Sequence, residues 1–130
     1  MGTDLPDVVA EVTAVFEQYE KALIENDVET LDGLFWKDPR VVRYGASENL
    51  YGYDQIAEYR KTRPSAGLDR SLRNTVITAH GRDFATVWTE FSRPGVEQTG
   101  RQSQVWVRRP DGWRVVAAHV SFMIRLPDTS

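Results

Sequence analysis

The hydrophobic period of this chain changes once, and that change limits what it can fold into. From residue 7 to residue 25, apolar side chains recur at helical spacing: Val8, Val12, Val15, Phe16, Tyr19 and Leu23. Beyond residue 70 the pattern becomes strand-like. Four segments rich in Val, Ile, Thr, Phe and Trp occupy about 72–79, 84–92, 101–109 and 113–124. Between these halves, Asn26-Asp27 breaks and recaps the chain, and a short second helix is predicted over 28–35. A strand at Val41–Tyr44, a loop at Ala46–Leu50 and a third helix over 53–62 follow. Asp4 is placed to cap the first helix. Pro64–Gly67 reads as a turn, and Asp111-Gly112 as the two-residue turn of a last hairpin. Helices followed by an antiparallel sheet predict an α+β domain. A long curved sheet with the helices over its concave side encloses a pocket. At roughly 150 residues per domain, a chain of 130 residues is expected to form one domain, its tail over 126–130 frayed.

Composition removes whole classes of chemistry. There are no cysteines, so disulfides, thiol nucleophiles and thiolate metal sites are excluded. Two histidines, His80 and His119, cannot build a His-rich metal centre, so neither metal nor cofactor is expected. No apolar run approaches the ~18–20 residues that cross a bilayer, and the acidic N-terminus lacks the basic and apolar regions of a signal peptide. A cytoplasmic location without membrane contact is therefore expected. The net charge is −3, but unevenly spread: residues 1–39 carry ten acids and two lysines, the rest nine acids and fourteen bases. Thirteen of the sixteen bases are Arg, whose planar fork suits carboxylates and phosphates. The basic half has no Lys/Arg run, so nucleic acid is not an expected partner.

Some polar residues stand where apolar ones are expected. Arg43 interrupts Val41-Val42-Arg43-Tyr44. A charge in so apolar a strand needs a partner or water. It is either an anion clamp reaching into a pocket or half of an ion pair to a helix acid such as Glu17 or Glu20. Tyr19 puts a hydroxyl on the inward stripe of the first helix. It is a core tyrosine, or a proton donor and acceptor whose phenolate a nearby cation favours. With Asp111-Gly112 as the turn, strict alternation sets Gln104 opposite His119, Gln102 opposite Ser121 and Trp106 opposite Ala117. The first four form a polar patch suited to a small ligand, or else a solvated or dimer-forming face. A bulge would bring in Arg101 and Ser103 instead. Glu90 is either a carboxylate base or an exposed strand residue. Arg60 and Arg63 fit the C-terminal dipole of the third helix better than a pocket mouth. His80 reads as a turn residue, and Ser103 and Ser121 lack a His/Asp relay.

Several segments resemble a known superfamily. Glu25-Asn26-Asp27-Val28-Glu29-Thr30-Leu31, Leu34-Phe35 and the final Gly112–Ser121 run are similar to the nuclear-transport-factor-2-like (NTF2-like, SnoaL-like, cystatin-like) proteins. The last hairpin alone also resembles the association domain of calmodulin-dependent kinase. Val42-Arg43-Tyr44-Gly45, Glu48-Asn49-Leu50-Tyr51-Gly52 and Gly100-Arg101-Gln102-Ser103-Gln104-Val105-Trp106 resemble the AtzH-like family, with its HpxZ-type members. The resemblance implies an NTF2-like cone of three helices over a curved antiparallel sheet, commonly paired through convex faces into a homodimer. It also implies a small cofactor-free hydrolase in cyanuric acid or ureide catabolism. Its substrate would be a carboxylated urea such as 1,3-dicarboxyurea, decarboxylated to allophanate. The family's proposed catalytic Tyr and Arg fall on Tyr19 and Arg43. On this reading Arg43 clamps one carboxylate and stabilises charge on the adjacent carbonyl, Tyr19 is general acid and base, and Gln104 and His119 orient the amide end, with Gln102 and Ser121 beside them. Two other readings stay open: a non-catalytic small-acid binder or accessory subunit of an amidase, and an isomerase or dehydratase, whose sites need an acid or a His pair.

Overall fold

Pro6 opens the first helix because its fixed φ suits the first turn and its missing N–H is one donor fewer to satisfy. That helix, α1 (Pro6–Glu25), buries Val8, Val12, Phe16, Tyr19 and Leu23 along one stripe and ends where Asn26 turns left-handed at φ 53°. Asp27 then caps α2 (Val28–Leu34), accepting from the Thr30 amide at 3.2 Å and its hydroxyl at 2.6 Å. The third helix is α3 (Tyr53–Thr62). The strands are β1 (Val42–Tyr44), β2 (Asn49–Tyr51), β3 (Ser71–His80), β4 (Phe84–Ser92), β5 (Gly100–Arg109) and β6 (Gly112–Phe122). The computed structural model describes residues 1–65 and 67–124; the tail at 126–130 lies outside them.

The strands form one curved, unclosed sheet in the order β2-β1-β6-β5-β4-β3. Every neighbouring pair is antiparallel except β1 and β6, which run parallel. The expected α+β class is the one observed. Among the described residues no helix is long and apolar enough to cross a membrane.

Three local expectations are corrected. Asp4 does not cap α1; Leu5 occupies that position without a side-chain bond. Asp4 instead fastens the N-terminus to β3, its amide donating to the Ala79 carbonyl and its carboxylate accepting from the Ala79 amide, both at 2.9 Å. The segment expected to be a loop at 46–50 contains the start of β2, too short to alternate visibly, which pairs Leu50 with Arg43. The last hairpin turns on Pro110-Asp111, so that Arg109 pairs with Gly112, and β6 ends at Phe122.

A bulge then sets the faces. The register shifts between Val105 and Trp106, leaving Val116 as the extra residue of β6. Beyond it Gln104 pairs with Ala118 and Gln102 with Val120, while His119 pairs with Ser103 and Ser121 with Arg101; Trp106 pairs with Val115. One extra residue reverses the alternation of everything after it. His119 and Ser121 are thereby placed on the outer face, and Gln102 and Gln104 on the helix-covered face.

Candidate active site

The helix-covered face carries a polar row across the sheet. Arg43 on β1 pairs with Ala118 on β6, which pairs with Gln104 on β5, which pairs with Val87 on β4. Only the Ala118 methyl stands between the arginine and the glutamine, whose strands are two spacings, about 10 Å, apart. Gln102 lies two residues along from Gln104, opposite Thr89 and Val120. Both glutamines are almost fully buried, at 3% and 1% exposure. The Gln104 Oε1 accepts from the Trp106 indole at 3.0 Å, and Gln102 Oε1 accepts from Arg70 at 3.0 Å. Among the described residues, their Nε2 donors have no partner. Above this row α1 contributes Tyr19, its ring 6.4 Å from Trp106 edge-on and 6.3 Å from Phe35. Tyr59 and Arg63 come from α3 and its C-cap.

Arg43 is partnered, though by neither helix acid considered from the sequence. Its Nη1 donates to Glu48 at 2.9 Å, and its guanidinium lies 5.6 Å from the Tyr59 ring centre. Burial raises the Glu48 carboxyl, but the Ser47 hydroxyl, Arg43 and the Tyr59 hydroxyl together outweigh it and leave it below the ordinary 4.5. Burial, then the Glu48 charge, push Tyr59 above the ordinary phenol value. A depressed carboxyl contributes stability that is present above the unfolded value and lost as pH falls through the folded one. Glu48→Gln is therefore expected to lower stability at pH 7 by about 1–3 kcal/mol. The gap to wild type should close as pH drops below 4.5, checked by urea denaturation across pH. A gap independent of pH rules out the ion pair as its source.

Two more arginines are neutralised inside. Arg60, 3% exposed, donates to Asp32 at 2.7 Å and stacks 4.2 Å from the Phe35 ring centre. Arg70 grips Glu20 with both Nε and Nη2. Arg63 behaves differently. It caps the C-terminus of α3 and is half-buried there: it lies within electrostatic reach of Tyr19, Arg43 and Tyr59, and burial pushes its pKa down. Tyr19 and Arg43 are thus brought around one shared neighbour.

Other candidates lie elsewhere. Glu90 is on the outer face, half-buried beside Arg73 and Asn74. His80 ends β3 against the Phe84 ring. His119 and Ser121 line a shallow outer depression with Trp88, Arg101 and Ser103. Among the described residues no three His, Asp or Glu group closely enough to hold a metal ion. Sequence reasoning did not single out Glu48, Arg70 or Arg93. Glu48 stands between Ser47 and Asn49 and Arg70 between Asp69 and Ser71, so no local apolar pattern marked either.

Gly100 explains how the arginines are seated. A Cβ there would overlap the ring of Phe91, which is fully buried. That ring carries Arg70 at 4.6 Å and Arg93 at 5.5 Å. Gly100→Ala forces the ring away and should cost about 1–3 kcal/mol by overpacking, read from the urea midpoint. An unchanged midpoint means the ring has room to move.

The family model described as AtzH-like matches residues 1–125. The chain belongs to the AtzH-like family. Solved structures place the AtzH-like chain further. It is similar to a protein of unknown function from the DUF3225 family of Pectobacterium atrosepticum SCRI1043, with 60% identity, TM-score 0.93, and 94% of this chain and 95% of that chain covered. It is also similar to a cystatin-like fold protein from Burkholderia xenovorans LB400, with 45% identity, TM-score 0.92, and 97% and 99% covered. An NTF2-like superfamily protein from Salmonella enterica serovar Typhimurium LT2 shares 25% identity at TM-score 0.75, with 95% and 96% covered. The AtzH-like fold is therefore NTF2-like and cystatin-like. No curated protein matches the AtzH-like chain.

Proposed function

We propose that this AtzH-like protein is a cofactor-free decarboxylating amidohydrolase for a carboxylated urea such as 1,3-dicarboxyurea. One observation carries the reading. Two glutamine Nε2 groups, buried and without partners among the described residues, lie on the sheet face that also bears Arg43, and Gln104 is bonded to Trp106, whose ring meets Tyr19. Buried donors left unmade are costly. A ligand rich in carbonyl and carboxylate oxygens satisfies them. In the proposed reaction the bond between a ureido nitrogen and its carboxylate breaks, carbon dioxide leaves, and the nitrogen takes the Tyr19 proton. The phenolate then recovers a proton from solvent. Charge that develops on the urea carbonyl is stabilised by Arg43, whose Nη1 donates to Glu48. Gln102 and Gln104 orient the urea.

A second reading is favoured by the Arg43–Glu48 pair, which already neutralises the proposed clamp. It is non-catalytic binding of the same acids, as the accessory subunit of an amidase. Purified protein given 1,3-dicarboxyurea separates the two: carbon dioxide and allophanate form under the first and not under the second. A homodimer through the outer sheet face is part of the proposal, supported by Trp88, Val76 and Tyr44 exposed there at 58%, 55% and 37%.

A further inference from the structure

The interior charges do not balance. Arg43, Arg60 and Arg70 each have a carboxylate: Glu48, Asp32 and Glu20. Arg63 and Arg93 have none among the described residues. Nε and Nη2 of Arg63 and Nε of Arg93 are buried without a hydrogen bond. Among the described residues, Arg93 Nη1 donates to the Gly67 carbonyl. Both residues are half-buried; guanidinium nitrogens shut off from water without a counter-charge are disfavoured, and one anionic group per excess cation relieves this. The two excess charges differ in their surroundings but share Arg43 and Tyr59 as neighbours. Arg63 lies with Tyr19 and Arg43. Arg93 lies with Arg70, which holds Gln102, and within reach of Glu20, the carboxylate that Arg70 already binds. Burial lowers the pKa of both arginines, opposed only in part by Tyr19 and Tyr59 at Arg63 and by Glu20 and Tyr59 at Arg93.

We propose that Arg63 and Arg93 are the specificity-determining charges of this site, each meeting one acid group of a short dianionic ligand, so that the protein selects diacids over monoacids of equal length. The Gln102 Nε2 completes the Arg93 side. The Arg43 side of the site, already balanced by Glu48, is left to the group between the two acids. This deepens the ureido-acid reading and rests on it for where the ligand lies.

The probes are glutarate, which has three atoms between its carboxylates as dicarboxyurea does, and its monoamide. Titration calorimetry on the full chain is expected to give glutarate at least a tenfold tighter Kd than the monoamide. In Arg63→Gln and in Arg93→Gln that ratio should fall to about threefold or less, while Arg63→Lys and Arg93→Lys keep most of it. Equal binding of the two probes to wild type, no glutarate binding, or a full ratio in both Gln variants overturns the proposal; water then solvates these arginines. The wild-type ratio decides the matter even if a variant fails to fold. Turnover of dicarboxyurea is measured separately. Diacid selection without carbon dioxide release defeats the enzymatic reading and leaves this one standing. Release without selection does the reverse.

Discussion

Tyr19→Phe is expected to lower carbon dioxide release from 1,3-dicarboxyurea by about 10²–10⁴-fold, the usual worth of a general acid. The substitution removes one oxygen from a ring packed by Phe35 and Trp106, and both ring contacts remain. The melting temperature should therefore stay close to wild type, which separates loss of chemistry from loss of fold. Arg43→Gln should cost about 10²–10³-fold, as removal of one oxyanion-stabilising donor does. It also strands the Glu48 carboxylate, so part of any defect could be structural. The double variant with Glu48→Gln restores neutrality; if the rate stays low while stability recovers, the loss belongs to the chemistry. Steady-state rates with both purified variants check this, and wild-type activity in Tyr19→Phe sinks the mechanism.

The largest stability effect is expected at Trp106. Its side chain is fully buried, its ring meets Tyr19 edge-on, and its indole N–H is bound to Gln104. Trp106→Ala should cost about 3–5 kcal/mol, from lost transfer energy and the cavity left behind. A domain of this kind has only about 5–15 kcal/mol to lose. The same change frees the Gln104 Oε1, leaving a third buried atom unmade beside the two Nε2 donors. Trp106→Phe, which keeps most of the volume but not the N–H, isolates that polar share. Urea denaturation of both variants measures it. A loss below about 1 kcal/mol in Trp106→Ala would mean that the helices collapse onto the sheet without this ring.

Much of the fold was legible because burial imposes a period. The α1 stripe, the Asp27 cap and the four long strands are written in side chains three, four or two positions apart. Asp4 misled because a capping residue next to Leu5-Pro6 reads the same whether it caps the helix or ties down the terminus. β2 was not legible because three residues are too few to show alternation. Tyr19 and Arg43 could be singled out as polar groups on apolar stripes. Which acid would answer Arg43 could not, because Glu48 is set by the β1–β2 turn and not by helix spacing.

The sequence by itself determined the order of helices and strands, the buried stripe that carries Tyr19, and an arginine inside a strand. Local periodicity and propensity act over a few neighbours, so they can be read without knowing the rest. Tertiary structure alone decided that one extra residue at Val116 sends His119 and Ser121 outward, and that Arg63 and Arg93 are left without counter-charges. Both depend on strand register and on the meeting of segments distant in the chain. Pairing across a sheet is set by the summed fit of many contacts, and no short stretch of sequence contains that sum.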